Sequence, residues 1–350
     1  MSKAEQIVWR KARAAGAGTM AVRLTDEMCG YVLSRIIIDL GLSAGFPEIS
    51  HELPDFFRTE PAQLHSDVAD PQALFERLAH GVPDAQTYFS CLVSLLKSRL
   101  KYANILSGQP LPTLDQVGPR SLLQYGSISG RALATFLFWR KWFFDIDNRA
   151  GQETGYLFEP VIAASVGGVP FTASKSPVKS HRDGKGRQVD CLLDKNAYEV
   201  KIRVTIAASG QGRWREELDY PIDCKASGYR PVLVVLDGTA NAQLTELIAA
   251  FIREGGVAYV GVDAWKHLES LAGATMARFL DIYVRAPLAR LLAEAPDSPL
   301  PEMTARDFGS SISIIVDGEE LRIVRAPKVT DDDGDKLPDD VGADLPTAVE

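Results

Sequence analysis

Apolar positions recur at helical spacing through the first 150 residues, in stretches such as 28–40, 73–78 and 88–100, and Gly41, Pro54, Pro71, Pro83 and Pro112 break them. Alternating, strand-like runs are scarce there, so the pattern predicts a helical N-terminal region over residues 1–150. The dense block 136–144, FLFWRKWFF, carries apolar residues over most of a helix surface. That distribution predicts a buried helix rather than a platform for stacked bases.

From Gly151 the texture alternates between helix and strand. Residues 156–166 (YLFEPVIAASV) predict a helix stopped by Gly167-Gly168, residues 188–193 and 197–206 a pair of strands, and residues 213–218 the start of a helix. A short buried strand at 231–236 (PVLVVL), an amphipathic helix at 242–253, a strand at 257–260 and a helix at 263–271 with Asp263 as N-cap complete the series. The order α-β-β-α-β-α-β-α predicts an α/β (α+β) unit over residues 151–290, with a mixed central sheet flanked by helices. Residues 311–316 and 320–324 on either side of Asp317-Gly318 predict a hairpin within a C-terminal extension, 291–326. The acidic tail, 327–350, has almost no apolar periodicity and is expected to be disordered.

Composition narrows the class. A chain of 350 residues with 46% hydrophobic content can bury a substantial core. The four cysteines (Cys29, Cys91, Cys191 and Cys224) form no CxxC pair, which argues against a zinc framework and suits a reducing cytoplasm. The N-terminus lacks the apolar segment of a signal peptide, and no run of about 18 apolar residues occurs, so no membrane partner is expected. The net charge is −8, but residues 331–350 hold eight acids against one lysine, which leaves the rest of the chain near neutral. Between residues 171 and 215 ten Lys/Arg outnumber four acids, a local footprint suited to phosphate, although such a run is commonly just a solvated face.

Within that basic stretch an acid sits in one apolar run, Asp190, and an acid–x–lysine sits in the next, Glu199-Val200-Lys201, eight residues further on. Side chains alternate along a strand, so Glu199 and Lys201 share one face while Val200 and Ile202 take the other. A two-residue hairpin loop near residues 194–196 pairs positions whose numbers sum to an odd value and brings Asp190 onto the face of Glu199 and Lys201. A three-residue loop sends it to the opposite face unless a bulge intervenes. Two carboxylates converging on one point need a cation, and magnesium takes oxygen ligands from one or two carboxylates together with substrate phosphate oxygens. A nearby lysine can stabilise charge on the phosphorane while the metal polarises the phosphoryl group. The bland reading is a solvent-facing hairpin with Lys201 paired to its neighbouring acids.

These residues resemble the signature of the PD-(D/E)xK nuclease superfamily, with Val189 standing where the family often has proline. The resemblance covers about residues 150–265 and implies a restriction-endonuclease-like core, Mg2+ as cofactor and DNA phosphodiesters as substrate. It also implies that Glu159, on the helix before the first core strand, assists a metal site formed with Asp190 and Glu199. Among superfamily members the chain looks most like a type II restriction endonuclease, which implies double-stranded DNA as partner and a homodimer that cuts both strands. Arg203, Thr205, Ser209, Gln211, Arg213 and Arg215 closely follow the catalytic strand and are candidates for base reading, since Arg and Gln can contact guanine and adenine edges bidentately. Lys179, Arg182, Lys185 and Arg187 in KSHRDGKGR are candidates for phosphate contact. The alternatives are a repair or recombination nuclease that reads DNA structure, or a DNA-binding protein whose cluster is only structural.

Other groups weigh less. Glu216 and Glu217 could add a metal ligand, but acids in the first turn of a helix are the ordinary reading. His181 is a candidate base or phosphate contact on a loop, and His51, His65, His80 and His267 show no ligand spacing. Neither GxxxxGK[ST] nor GxGxxG occurs, so no nucleotide cofactor is expected.

Overall fold

Asp194 takes a left-handed backbone conformation at φ 54°, which a short polar side chain tolerates, and closes a tight hairpin between β2 (Val189–Leu193) and β3 (Asn196–Lys201). The computed structural model containing this hairpin describes residues 1–15, 20–50, 52–202, 211–296 and 299–327, with the side chains of 211–213 also outside the description. His51 and the acidic tail beyond residue 327 lie outside the described residues.

The hairpin is the middle of a five-stranded sheet in the order β1-β2-β3-β4-β5, where β1 is Val169–Phe171, β4 Arg230–Val235 and β5 Val257–Val260. β1, β2 and β3 pair antiparallel, while β4 and β5 continue parallel to β3. The sheet is therefore mixed, as the alternating pattern predicts. β1 is too short to show in the apolar pattern. Val232, Leu233, Val234 and Val235 are buried on both faces, the burial expected of a strand covered from two sides. Each such side chain contributes about 1.5–3 kcal/mol.

Helices α1 (Lys3–Arg13), α2 (Asp26–Asp39), α3 (Pro71–Gly81), α4 (Ala85–Gly108) and α5 (Leu114–Val117) make up the helical N-terminal part. They lead into α6 (Gly130–Ser165), which runs for 36 residues through Pro160. The boundary drawn at residue 150 therefore falls inside a helix. Gly167, at φ 75°, lies just past its end, as the Gly-Gly stop predicts. In the block 136–144, Leu137 and Trp142 are buried but Phe136 (47%) and Phe144 (59%) are exposed, so the helix is only half core.

The two faces of the sheet serve different partners. Cys191, Tyr198, Val200, Val232 and Val234 join Leu157, Val161 and Ile162 of α6, together with Leu33, Ile36, Leu92 and Leu96, in one continuous core. On the other face Ala197, Leu233 and Val235 meet Tyr220 and Cys224 of α7 (Gln211–Ala226) and Leu244, Leu247 and Phe251 of α8 (Ala242–Arg253). α9 (Val262–Leu271) follows β5. Its N-cap is Gly261, so Asp263 sits in the first turn and is not the cap predicted from sequence.

Beyond α10 (Ala274–Leu280), a π-helical turn and α11 (Ala286–Ala293), the C-terminal hairpin appears as predicted, with Asp317 and Gly318 at φ 50° and 84°. It is β7 (Ser311–Val316) and β8 (Glu319–Val324), and an additional strand, β6 (Met303–Asp307), widens it to three strands. Ile312 and Ile323 pack this sheet on Trp142 of α6. No helix among the described residues is long and apolar enough to cross a membrane.

Candidate active site

The register of the central hairpin decides whether the acids meet. Its ladder runs from Leu193–Asn196 through Leu192–Ala197 to Cys191–Tyr198, every pair summing to an odd value, and ends there; continued one step, that register puts Asp190 on the face of Glu199. The two-residue alternative is the one realised. At this end of the hairpin the Val200 N–H donates to Asp190 Oδ2 at 2.9 Å. Glu199 and Lys201 lie on the same face of β3, and Lys201 Nζ donates to Glu199 Oε1 at 3.1 Å.

Asp190 is only 6% exposed. Burial, then Glu199 and Glu159, push its carboxyl well above the usual range, and the Val200 N–H and Lys201 offset this only in part. Glu159 thus projects from α6 close enough to Asp190 to act on it electrostatically. Burial disfavours the Lys201 ammonium, but Glu199, Glu217 and Asp190 outweigh that and hold its pKa above the ordinary value. Lysine is therefore kept charged, while Asp190 carries the cost of crowded negative charge.

Glu217, which the sequence ranked low, joins the cluster at Lys201. Its Oε1 lies 3.4 Å from Lys201 Nζ. On α7 it shares a stripe with Tyr220 and Cys224, three and seven residues on, and both are buried against the sheet. Tyr220 OH donates to Tyr198 O at 3.2 Å, which fixes that stripe on β3. Glu216, one residue earlier, is exposed. The signal that separates the two acids is therefore helical phase.

The donor set is one a hard divalent cation accepts: carboxylate oxygens whose mutual repulsion is uncompensated at Asp190. Among the described residues no three His, Cys, Asp or Glu side chains form a closed metal cage. A carboxylate pair completed by phosphate oxygens, as magnesium uses, requires no such cage.

The basic segment is not loosely held. Lys179 bridges to Gly186, and a Cβ at Gly186 would lie 1.8 Å from Ala173 O, so only glycine fits the turn. Asp223 of α7, fully buried, accepts from the His181 N–H at 2.6 Å, from His181 Nδ1 at 2.5 Å and from Arg187 Nε at 2.5 Å. Arg182 Nε lies 2.6 Å from Asp219 Oδ2. Two of the four basic residues singled out in this segment are thus engaged by α7, while Lys179 and Lys185 are exposed, with Lys185 3.3 Å from Asp183. Of the base-reading candidates, Arg203, Thr205 and Ser209 lie outside the described residues, Gln211 and Arg213 open α7 with side chains outside the description, and Arg215 is exposed on that helix.

A mixed five-stranded sheet flanked by helices, with an acid on one strand near an acid–x–lysine on the next, is consistent with a restriction-endonuclease-like fold. The chain belongs to the ApaLI-like restriction endonuclease family, whose model matches residues 55–285. It is 49% identical over 258 residues to the type II restriction enzyme ApaLI of Acetobacter pasteurianus, covering 69% of each chain. No solved structure matches. Membership of the family makes the chain a type II restriction endonuclease, and it decides between sequence-specific cutting and the repair or non-catalytic readings that the motif alone leaves open.

Proposed function

We propose that this restriction endonuclease hydrolyses double-stranded DNA with magnesium held by Asp190 and Glu199, Glu159 assisting through the metal's water shell and Lys201 serving the reacting phosphate. The observation that carries this reading is the convergence at one end of the hairpin: a buried Asp190 crowded by Glu199 and Glu159, with Lys201 Nζ 3.1 Å from Glu199. Bound magnesium would supply a Lewis acid for the scissile phosphoryl group. Asp190 and Glu199 orient the site from two rigid strands, and Lys201 holds a positive charge where negative charge grows on the phosphorane oxygens. In the metal-free chain Glu199, Glu217 and Asp190 hold the Lys201 pKa above the ordinary value against the effect of burial.

The exposed Lys179 and Lys185 at the pinned basic turn support phosphate contact, and Arg182 and Arg187 tie that turn to Asp219 and Asp223 of α7. Arg203, Thr205, Ser209, Gln211, Arg213 and Arg215 remain the base-reading candidates by their place in the sequence, from just after the catalytic strand into the first turns of α7. A homodimer is the simplest means of cutting both strands of a symmetric site, and no nucleotide is needed to drive the reaction. Four buried, unbridged thiols suit a reducing cytoplasm. We read residues 151–290 as the catalytic unit, with 1–150 helical, 291–326 an extension and 327–350 an acidic tail.

The test is incubation of the purified protein with long DNA and magnesium, followed by mapping of the ends. Cuts at one defined sequence are expected. A folded protein that cuts none of several DNAs with magnesium or manganese would overturn the reading.

A further inference from the structure

Lys201 is served by two acids, and only one of them belongs to the strand motif. Its ammonium lies 3.1 Å from Glu199 Oε1 and 3.4 Å from Glu217 Oε1. The Lys201 side chain is 17% exposed, Glu199 21% and Glu217 22%, so the three sit in a partly desolvated cleft where charge pairs are less screened than on an open surface. Glu217 reaches there because α7 is seated on β3: Tyr220 OH is bonded to Tyr198 O, and Tyr220 also stacks on Phe251 of α8 with ring centroids 6.0 Å apart.

The two acids cannot play the same part during the reaction. Glu199 is a metal ligand in the reading above, and a carboxylate whose oxygens are directed to a divalent cation is a weaker partner for a lysine beside it. Lys201 would then swing on four rotatable bonds unless something else held it. We propose that Glu217 is a positioning residue for Lys201, holding its ammonium over the reacting phosphate while Glu199 is committed to the metal. Glu217 itself touches neither metal nor DNA in this proposal, and its whole effect passes through Lys201. The inference rests on Asp190, Glu199 and Lys201 being the active site.

The experiment is a double-mutant cycle on the full-length protein, with E217Q, K201A and the double variant. Magnesium-dependent cleavage is measured as kcat and KM, and DNA binding is measured in calcium. Glutamine keeps the size of Glu217 and removes the charge that orients the lysine. E217Q is expected to lower kcat about 10- to 100-fold, the scale of a displaced reacting group, with KM and calcium-supported affinity unchanged. The double variant should cut no more slowly than K201A alone. Wild-type kcat in E217Q, a loss that multiplies onto that of K201A, or a loss expressed in DNA affinity would each overturn the proposal. If E217Q fails to bind DNA for want of a fold, E217D decides. It keeps the charge one methylene short, so reduced kcat with intact affinity supports positioning, and an unchanged kcat overturns it. Wild-type cleavage by K201A would instead overturn the reading of the active site itself.

Discussion

At Asp190 function and stability pull in opposite directions. Its carboxyl is pushed up by burial and by Glu199 and Glu159, so the folded chain holds that proton to a higher pH than the unfolded chain does. The stabilising contribution of such a group is complete below the unfolded carboxyl range and is lost as pH rises through the folded value, leaving a cost at neutral pH. Asp190→Asn should therefore raise the metal-free stability at pH 7 by about 1–2 kcal/mol, the usual gain from relieving one strained functional residue. Denaturant melts of the two proteins across pH 4–8 check this, and the advantage of the variant should shrink toward the acid end. Magnesium should stabilise the wild type, by about 2.7 kcal/mol at a hundred times its dissociation constant, and leave Asp190→Asn nearly unmoved.

At the scale of elements, α7 is the piece on which the site depends. It faces β3 with Glu217, Tyr220 and Cys224, and it pins the basic turn through Asp219 and Asp223. Asp223→Ala leaves Arg187 and His181 without their acceptor. Because those partners keep side-chain exposures of 19% and 32%, the loss should be about 2–3 kcal/mol, below the 3–5 kcal/mol of a fully buried pair. Urea midpoints measure it. Alternation along the strands and the shared face of Glu199 and Lys201 were legible in the sequence, because a strand has only two faces; the loop length that sets the register of Asp190 was not, and the ladder decides it. Nor were Glu217 and Asp223. Their roles depend on which stripe of α7 meets the sheet, and that follows from packing against Phe251 and Leu247 from elsewhere in the chain rather than from the local acids. The length of α6 was not legible either: the helix expected over 156–166 was placed correctly through Pro160, but the change of texture at Gly151 hid its continuity back to Gly130.

In the whole molecule the helical N-terminal part and the sheet are not separable layers. Leu33, Ile36, Leu92 and Leu96 share one core with Tyr198, Val200 and Val234 across α6. A fragment of residues 151–290 alone should therefore fail to fold cooperatively, since it would lose Leu33, Ile36, Leu92 and Leu96 and leave the core they share with the sheet and α6 partly exposed. Calorimetry on that fragment should show no sharp transition, and a cooperative melt close to that of the full chain would show the catalytic unit to be autonomous.

Everything proposed for this enzyme turns on phosphodiester hydrolysis taking place beside Asp190, Glu199 and Lys201. The most direct measurement sets magnesium-dependent cleavage by Asp190→Ala beside its sequence-specific DNA binding in calcium. Cleavage is expected to be abolished while binding to the recognition sequence is retained. Cleavage at the wild-type rate would contradict this.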